Sequence, residues 1–202
     1  VNHLIGPGEQ DRVRHMLSIV VERADLDGLR VLDLGCRTGA FSIALADAGA
    51  DVLGIEGRQE NLDHVPASTV RFELADVRDV STETHGTFDV VLCLGILYHL
   101  GPEDAIGLLA AMRKMTERFA VIDTHIGADQ FGVTVDERQY RGNWYGENTV
   151  HPWSAIGNAA SWWFTRDSLG DALRNTGWSS VADIPGKGWG DEPDDRAWLV
   201  TE

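Results

Sequence analysis

The chain has 202 residues, enough for one ordinary domain that buries about 70% of its unfolded surface without disulfides or a structural metal. Hydrophobic residues make up 43% and charged residues 24%, the proportions of a globular domain rather than a disordered chain. Asp and Glu number 32 against 17 Lys and Arg, and the deficit is shared: 8 basic against 16 acidic residues up to residue 100, 9 against 16 after it. No basic face is left for a polyanion, so nucleic acid is not an expected partner. Cys36 and Cys93 have no paired spacing, which excludes a disulfide framework and a zinc site. No apolar run approaches the ~18 residues of a membrane span, and the start Val1–Gly6 lacks the form of a secretory signal. A soluble cytoplasmic protein is expected.

Taken in chain order, residues 30–34 read as a buried strand, followed by a glycine-rich turn and an Ala-rich helix over about 40–48. Residues 51–56, 70–73 and 88–94 read as the second, third and fourth strands. After Pro102 a helix places Ala105, Leu108, Leu109, Met112 and Met115 on one face, and residues 119–124 form a fifth strand. This alternation predicts βαβ units and a mainly parallel sheet covered on both faces. Residues 126–164 lose periodicity, gain aromatics and carry the breakers Gly142 and Pro152, so they read as an irregular insert within one domain spanning 1–202. A helix restarts at the N-cap Thr165 and stops at Gly177. Residues 179–184 and 197–201, joined by a Gly/Pro/Asp-rich turn, read as a hairpin lying antiparallel at the sheet edge.

The most informative stretch is Val31-Leu32-Asp33-Leu34-Gly35-Cys36-Arg37-Thr38-Gly39, a buried strand ending in a tight turn. Gly35 admits close approach of a ligand to the backbone, and Gly39 opens the next helix. Glu56 ends the second strand 21 residues after Gly35, where an acid accepts hydrogen bonds from a ribose diol. A dinucleotide site needs glycine at position 37 to meet a pyrophosphate. Arg37 stands there, which argues against NAD and FAD and favours a nucleoside cofactor without one.

With these residues, the sequence resembles the class I S-adenosylmethionine-dependent methyltransferases. Residues 33–39 are similar to the family's first motif apart from its second glycine, and Gly54-Ile55-Glu56-Gly57-Arg58 to its second. Ala75-Asp76-Val77 resembles the third, and residues 88–100 the fourth-strand motif. The resemblance implies an α/β, doubly wound, Rossmann-like sheet of seven mainly parallel strands, the last antiparallel, with helices on both faces. It implies S-adenosyl-L-methionine as cofactor and S-adenosyl-L-homocysteine as product. Asp33, Gly35, Cys36 and Gly39 would form the turn at its methionine end, Glu56 and Gly57 would meet the ribose, Asp76 and Val77 the adenine, and Leu94 would lie alongside.

Methyl transfer is an in-line displacement in which the protein aligns the acceptor and removes its proton where required. His99, just after the fourth strand, and His125, just after the fifth, are the candidate general bases. The plainer alternative is that His99 caps a turn and Tyr98 packs. Asp123, His125, His99 and His151 have metal-ligand chemistry but no diagnostic spacing, so no metal is assigned. All seven tryptophans lie between 144 and 198. Trp178 and Trp198 are assigned to packing. Tyr98, Tyr140, Arg141, Trp144, Trp162 and Trp163 are candidate substrate-binding residues, with Glu147 beside them, unless the insert is a satellite core. Its aromatics also offer a homodimer contact. The expected activity is O- or N-methylation of a small molecule, a secondary metabolite or sugar-like compound. The alternatives are a transferase acting on the wobble uridine of tRNA, which the fourth-strand segment also resembles, and a non-catalytic cofactor- or partner-binding module.

Overall fold

The structure is a computed structural model that describes residues 7–148, 151, 154–185 and 195–202. Its elements run α1 (Pro7–Val21), β1 (Arg30–Leu34), α2 (Ala40–Asp47), β2 (Asp51–Glu56), α3 (Gln59–Leu62), β3 (Arg71–Leu74), α4 (Thr82–His85), β4 (Phe88–Leu94) and α5 (Pro102–Met115). They continue β5 (Thr116–His125), β6 (Phe131–Val135), β7 (Arg138–Gly146), β8 (Ala160–Phe164), α6 (Arg166–Asn175), β9 (Val181–Ile184) and β10 (Arg196–Thr201). Seven strands form one sheet in the order β3-β2-β1-β4-β5-β10-β9. The first five are parallel, and β10 runs antiparallel between β5 and β9. No described helix is long and apolar enough to cross a membrane.

Strand alternation divides the core into two layers. Val31, Val90, Leu92 and Val121 pack with Met16 and Val20 of α1 and with Leu45 of α2. On the opposite face Leu32, Leu34, Val91 and Ile122 pack with Leu109 and Met112 of α5 and Leu173 of α6. Trp178 and Trp198 are both buried, as expected of packing residues.

Two parts differ from the sequence reading. Helix α1 was not anticipated, although Pro7 at its start, Glu9 in its first turn and the spacing of Val13, Met16 and Val20 are helical signals. The insert is not irregular: β6, β7 and β8 form a separate antiparallel sheet. Its first hairpin turns at Asp136 and Glu137, both at positive φ (46° and 63°), without the glycine that usually announces such a turn. The Gly/Pro/Asp-rich stretch 186–194, with Trp189, and likewise Pro152 and Trp153 lie outside the described residues.

Candidate active site

The turn after β1 is held to β2 by two amides, Gly35 N–H and Cys36 N–H, which both donate to the Ile55 carbonyl at 2.8 and 2.9 Å. Gly35 has φ +69°, and a Cβ there would lie 2.1 Å from Ile96 Cδ1. Arg37 is also left-handed (φ 51°), a conformation that costs a non-glycine residue about 1–2 kcal/mol. Its amide donates to Glu56 Oε2 at 2.9 Å, and its guanidinium pairs with Glu9 of α1 at 3.3 Å. Glu56 Oε1 accepts from Arg58 N–H at 2.9 Å and from the Asn61 side-chain amide at 3.1 Å. A carboxylate has about four acceptor sites, so three protein donors leave one on Oε2.

Beside this turn lies a cavity of about 340 Å³. Of the expected cofactor residues, Gly35, Glu56, Gly57, Asp76, Val77 and Leu94 line it. Asp33, Cys36 and Gly39 do not; they build the turn from behind. Asp33 shares the face of Val31, under α2, where it is 1% exposed and accepts from Ser42 Oγ at 2.5 Å. Burial, reinforced by the charge of Glu56 and opposed by the Ser42 bond, raises its pKa from 3.8 to about 7. At the opposite end Asp76 accepts from the Arg78 amide at 2.9 Å and from its guanidinium, which holds the Asp76 pKa below its ordinary value.

Three buried charges form a cluster that the sequence did not announce. Asp123 on β5, fully buried, accepts two bonds from Arg196 of β10, both 2.8 Å, and one from Arg12 of α1. Arg12 also reaches the cavity wall. Arg12 is 111 residues from Asp123 and Arg196 is 73, so no local pattern could reveal the triad. A metal role for Asp123 would require displacing both arginines.

Tyr98 and His99 line the cavity from a 3-10 turn, Leu97–His99, that follows β4. The insert fixes this turn from outside. Trp162 N–H donates to the Leu100 carbonyl at 2.8 Å, Trp163 Nε1–H to Tyr98 at 3.0 Å, and the Asn158 amide to His99 at 3.0 Å. His99 Nδ1 is 2.9 Å from Glu147 Oε1. Burial lowers the His99 pKa, Glu147 opposes that shift, and the charges of Arg196 and Arg58 add to it.

The other candidates stand elsewhere. His125 is not in the cavity wall: Trp163 stacks on it at 4.5 Å, Tyr98 meets it edge-on at 4.5 Å, and Arg196 Nη1 is 2.9 Å from its Nε2. Tyr140 and Trp162, expected to wall a substrate cleft, are 1% and 0% exposed and belong to the main core. Tyr140 Oη accepts from Asn175, so its polar end is satisfied internally. Arg141 pairs with Asp129 at the surface, and Trp144 is 45% exposed with its ring 5.2 Å from Trp162. Trp163 lies outside the cavity wall, between Tyr145 and His125. Glu147, placed by the sequence beside a substrate, is buried against His99 instead.

A family model described as a methyltransferase domain matches residues 9–182. The chain belongs to that family. It is a class I S-adenosylmethionine-dependent methyltransferase. Over 96 residues it is 38% identical to the ubiquinone biosynthesis O-methyltransferase of Bordetella avium (strain 197N), a match covering 44% of this chain and 40% of that one. Over 101 residues it is 31% identical to the O-antigen chain terminator bifunctional methyltransferase/kinase WbdD of Escherichia coli, covering 44% of this chain and 14% of that one. The matches therefore span less than half the length of these curated relatives. Among solved structures, the N-terminal domain of EvdMO1 in the presence of SAH and D-fucose is similar with a TM-score of 0.75 and 28% identity, over 97% of this chain and 82% of that one. Magnesium protoporphyrin IX methyltransferase from Synechocystis PCC 6803 with bound SAM shares the fold, with a TM-score of 0.65 at 18% identity, over 96% and 79% of the two chains.

The cavity of this methyltransferase fits such a cofactor on its own chemistry. Its volume is that of a small-molecule site. Ile96 packs into the space that the missing side chain of Gly35 leaves, Glu56 keeps an acceptor site, and Arg12 stands in the wall.

Proposed function

We propose that this methyltransferase transfers a methyl group to a hydroxyl oxygen of a sugar-like small molecule, with His99 as general base. The observation that carries this reading is an imidazole in the cavity wall, at the carboxyl end of β4, hydrogen-bonded to a buried carboxylate. A neutral amine needs no base to attack a sulfonium carbon, whereas an alcohol gains from losing its proton as it attacks. The bound cofactor supplies the activated methyl group.

In this reading the cofactor lies against Ile96 where that side chain covers Gly35, Glu56 receives a ribose hydroxyl on its open site, and Arg12 faces the methionine carboxylate. Asp76 and Val77 flank the adenine, with Leu94 alongside. Asp33, Cys36 and Gly39 shape the turn without touching the ligand. His99 takes the acceptor proton, and His125 stays behind it as packing. The sugar-like class is supported by the D-fucose of the EvdMO1 domain structure. The acidic balance of the chain favours a small molecule over tRNA. Buried, unpaired Cys36 and Cys93 suit the reducing cytoplasm.

The test is release of S-adenosylhomocysteine with 6-deoxyhexoses, D-fucose among them, beside dihydroxybenzoates and primary amines. Turnover on sugar hydroxyls, lost in His99→Asn, is expected. Turnover confined to amines and indifferent to His99 would overturn the reading.

A further inference from the structure

We infer that Glu147 is the positioning residue of the methyl-transfer base, fixing the His99 ring through Nδ1 so that Nε2 is the nitrogen left to take the acceptor proton. The inference rests on the reading of His99 as that base. Glu147 follows β7 directly, 48 residues beyond His99, and its side chain is 3% exposed. A carboxylate so deeply buried must be hydrogen-bonded, and both of its oxygens are engaged. Oε1 is 2.9 Å from His99 Nδ1, and Oε2 accepts from Ala155 N–H at 3.3 Å. A carboxylate can only accept, so Nδ1 carries the proton and the lone pair resides on Nε2.

The surroundings keep this pair in register. Glu147 N–H donates to the Ala159 carbonyl at 2.9 Å, and Asn158, one residue earlier, donates to the His99 carbonyl at 3.0 Å. The carbonyls of Ser154 and Ala155 accept from the Arg58 guanidinium at 3.2 and 3.1 Å, while the Arg58 amide donates to Glu56. Glu147 therefore belongs to one hydrogen-bonded chain running from the end of β2 to the turn after β4. The charged groups facing His99 are Glu147 from the β7–β8 connection, Arg196 from β10 and Arg58 from the segment after β2, with the Tyr98 ring 4.3 Å away. Glu147 alone among them stabilises the protonated ring as it forms.

Three proteins decide the matter: the intact enzyme, Glu147→Gln and His99→Asn. In the intact enzyme, nitrogen NMR of His99 should show the Nδ1–H tautomer. Glu147→Gln preserves shape but removes the charge, so the acidic limb of the kcat profile should move to lower pH by about one unit. The plateau of kcat should fall roughly 10-fold or more, with affinity for S-adenosylhomocysteine unchanged. A purely structural Glu147 would alter stability without moving the acidic limb. An unmoved limb in Glu147→Gln, or an Nε2–H tautomer in the intact enzyme, overturns the inference while an inactive His99→Asn leaves the base in place. Undiminished transfer by His99→Asn removes the base and the inference together.

Discussion

Asp33 is a carboxyl that the fold holds in a place hostile to its charge, and replacing it with asparagine turns that cost into a measurable pH dependence. Its pKa rises from 3.8 unfolded to about 7 folded, mainly through burial. Between those values the folded protein binds more protons than the unfolded chain, so this contribution to stability is full at low pH and is lost as pH rises through the window. By linkage the ionised group weighs against folding by about 2 kcal/mol at pH 5 and about 4 kcal/mol at pH 7. Asp33→Asn removes the titration. The new amide still accepts from Ser42, and burying its N–H₂ costs about 1–3 kcal/mol at every pH. The diagnostic is therefore the difference between two pH values, not the sign at one. Relative to the parent, Asp33→Asn should be better by about 2 kcal/mol at pH 7 than at pH 5, or about 4–8 °C in Tm for a chain of this size. Thermal unfolding of the cofactor-free protein at both pH values reads it directly. The same Tm difference at pH 5 and pH 7 would refute the buried-carboxyl account.

Three further substitutions probe the rest of the site. Gly35→Ala places a methyl group 2.1 Å from Ile96 Cδ1 in a left-handed residue, so Ile96 must shift at the cavity wall. Calorimetry should show weakened S-adenosylhomocysteine binding along with a stability loss of about 1–2 kcal/mol. Glu56→Gln should cost the cofactor about 1.5–3 kcal/mol by removing a charged acceptor, and an unchanged Kd would dismiss the ribose contact. Asp123→Asn removes the buried carboxylate that two guanidinia share, and urea denaturation should show a loss of about 3–5 kcal/mol. A loss below about 1 kcal/mol would mean that solvent already compensates the cluster.

The parallel half of the fold was legible because its strands are buried on both faces and read as unbroken apolar runs. Residues 30–34, 51–56 and 88–94 emerged with the bounds the structure gives. That Gly35, Glu56 and Asp76 would face one cavity was legible for a related reason: they recur at strand ends, and strand ends meet at one edge of a parallel sheet. Arg12, Asp123 and Arg196 were not, since their association depends on α1 crossing over β5 and on β10 inserting beside it. Nor could a sequence show that Arg37 adopts a glycine-like backbone. Its amide bond to Glu56 and its pairing with Glu9 offset a strain that the residue type alone would forbid.

The aromatic insert shows how composition can single out a segment without fixing where each of its rings points. Trp162 and Trp163 are neighbours of identical chemistry, yet a strand sends them to opposite faces. Trp162 enters the core with Phe164, while Trp163 lies between Tyr145 and His125. Neither walls the cavity. Their polar atoms instead hold the turn that presents His99: one main-chain amide and one indole N–H satisfy carbonyls that a short 3-10 turn cannot satisfy itself. A three-residue turn has too little internal structure to hold the His99 ring in one place, as the proposed base would need. The small sheet supplies the missing rigidity, delivering Glu147 to the imidazole from the end of β7 while β8 and the residue Asn158 before it anchor the backbone. Residues that look like a substrate platform in the sequence thus stand one layer further out, where they hold the turn that carries His99.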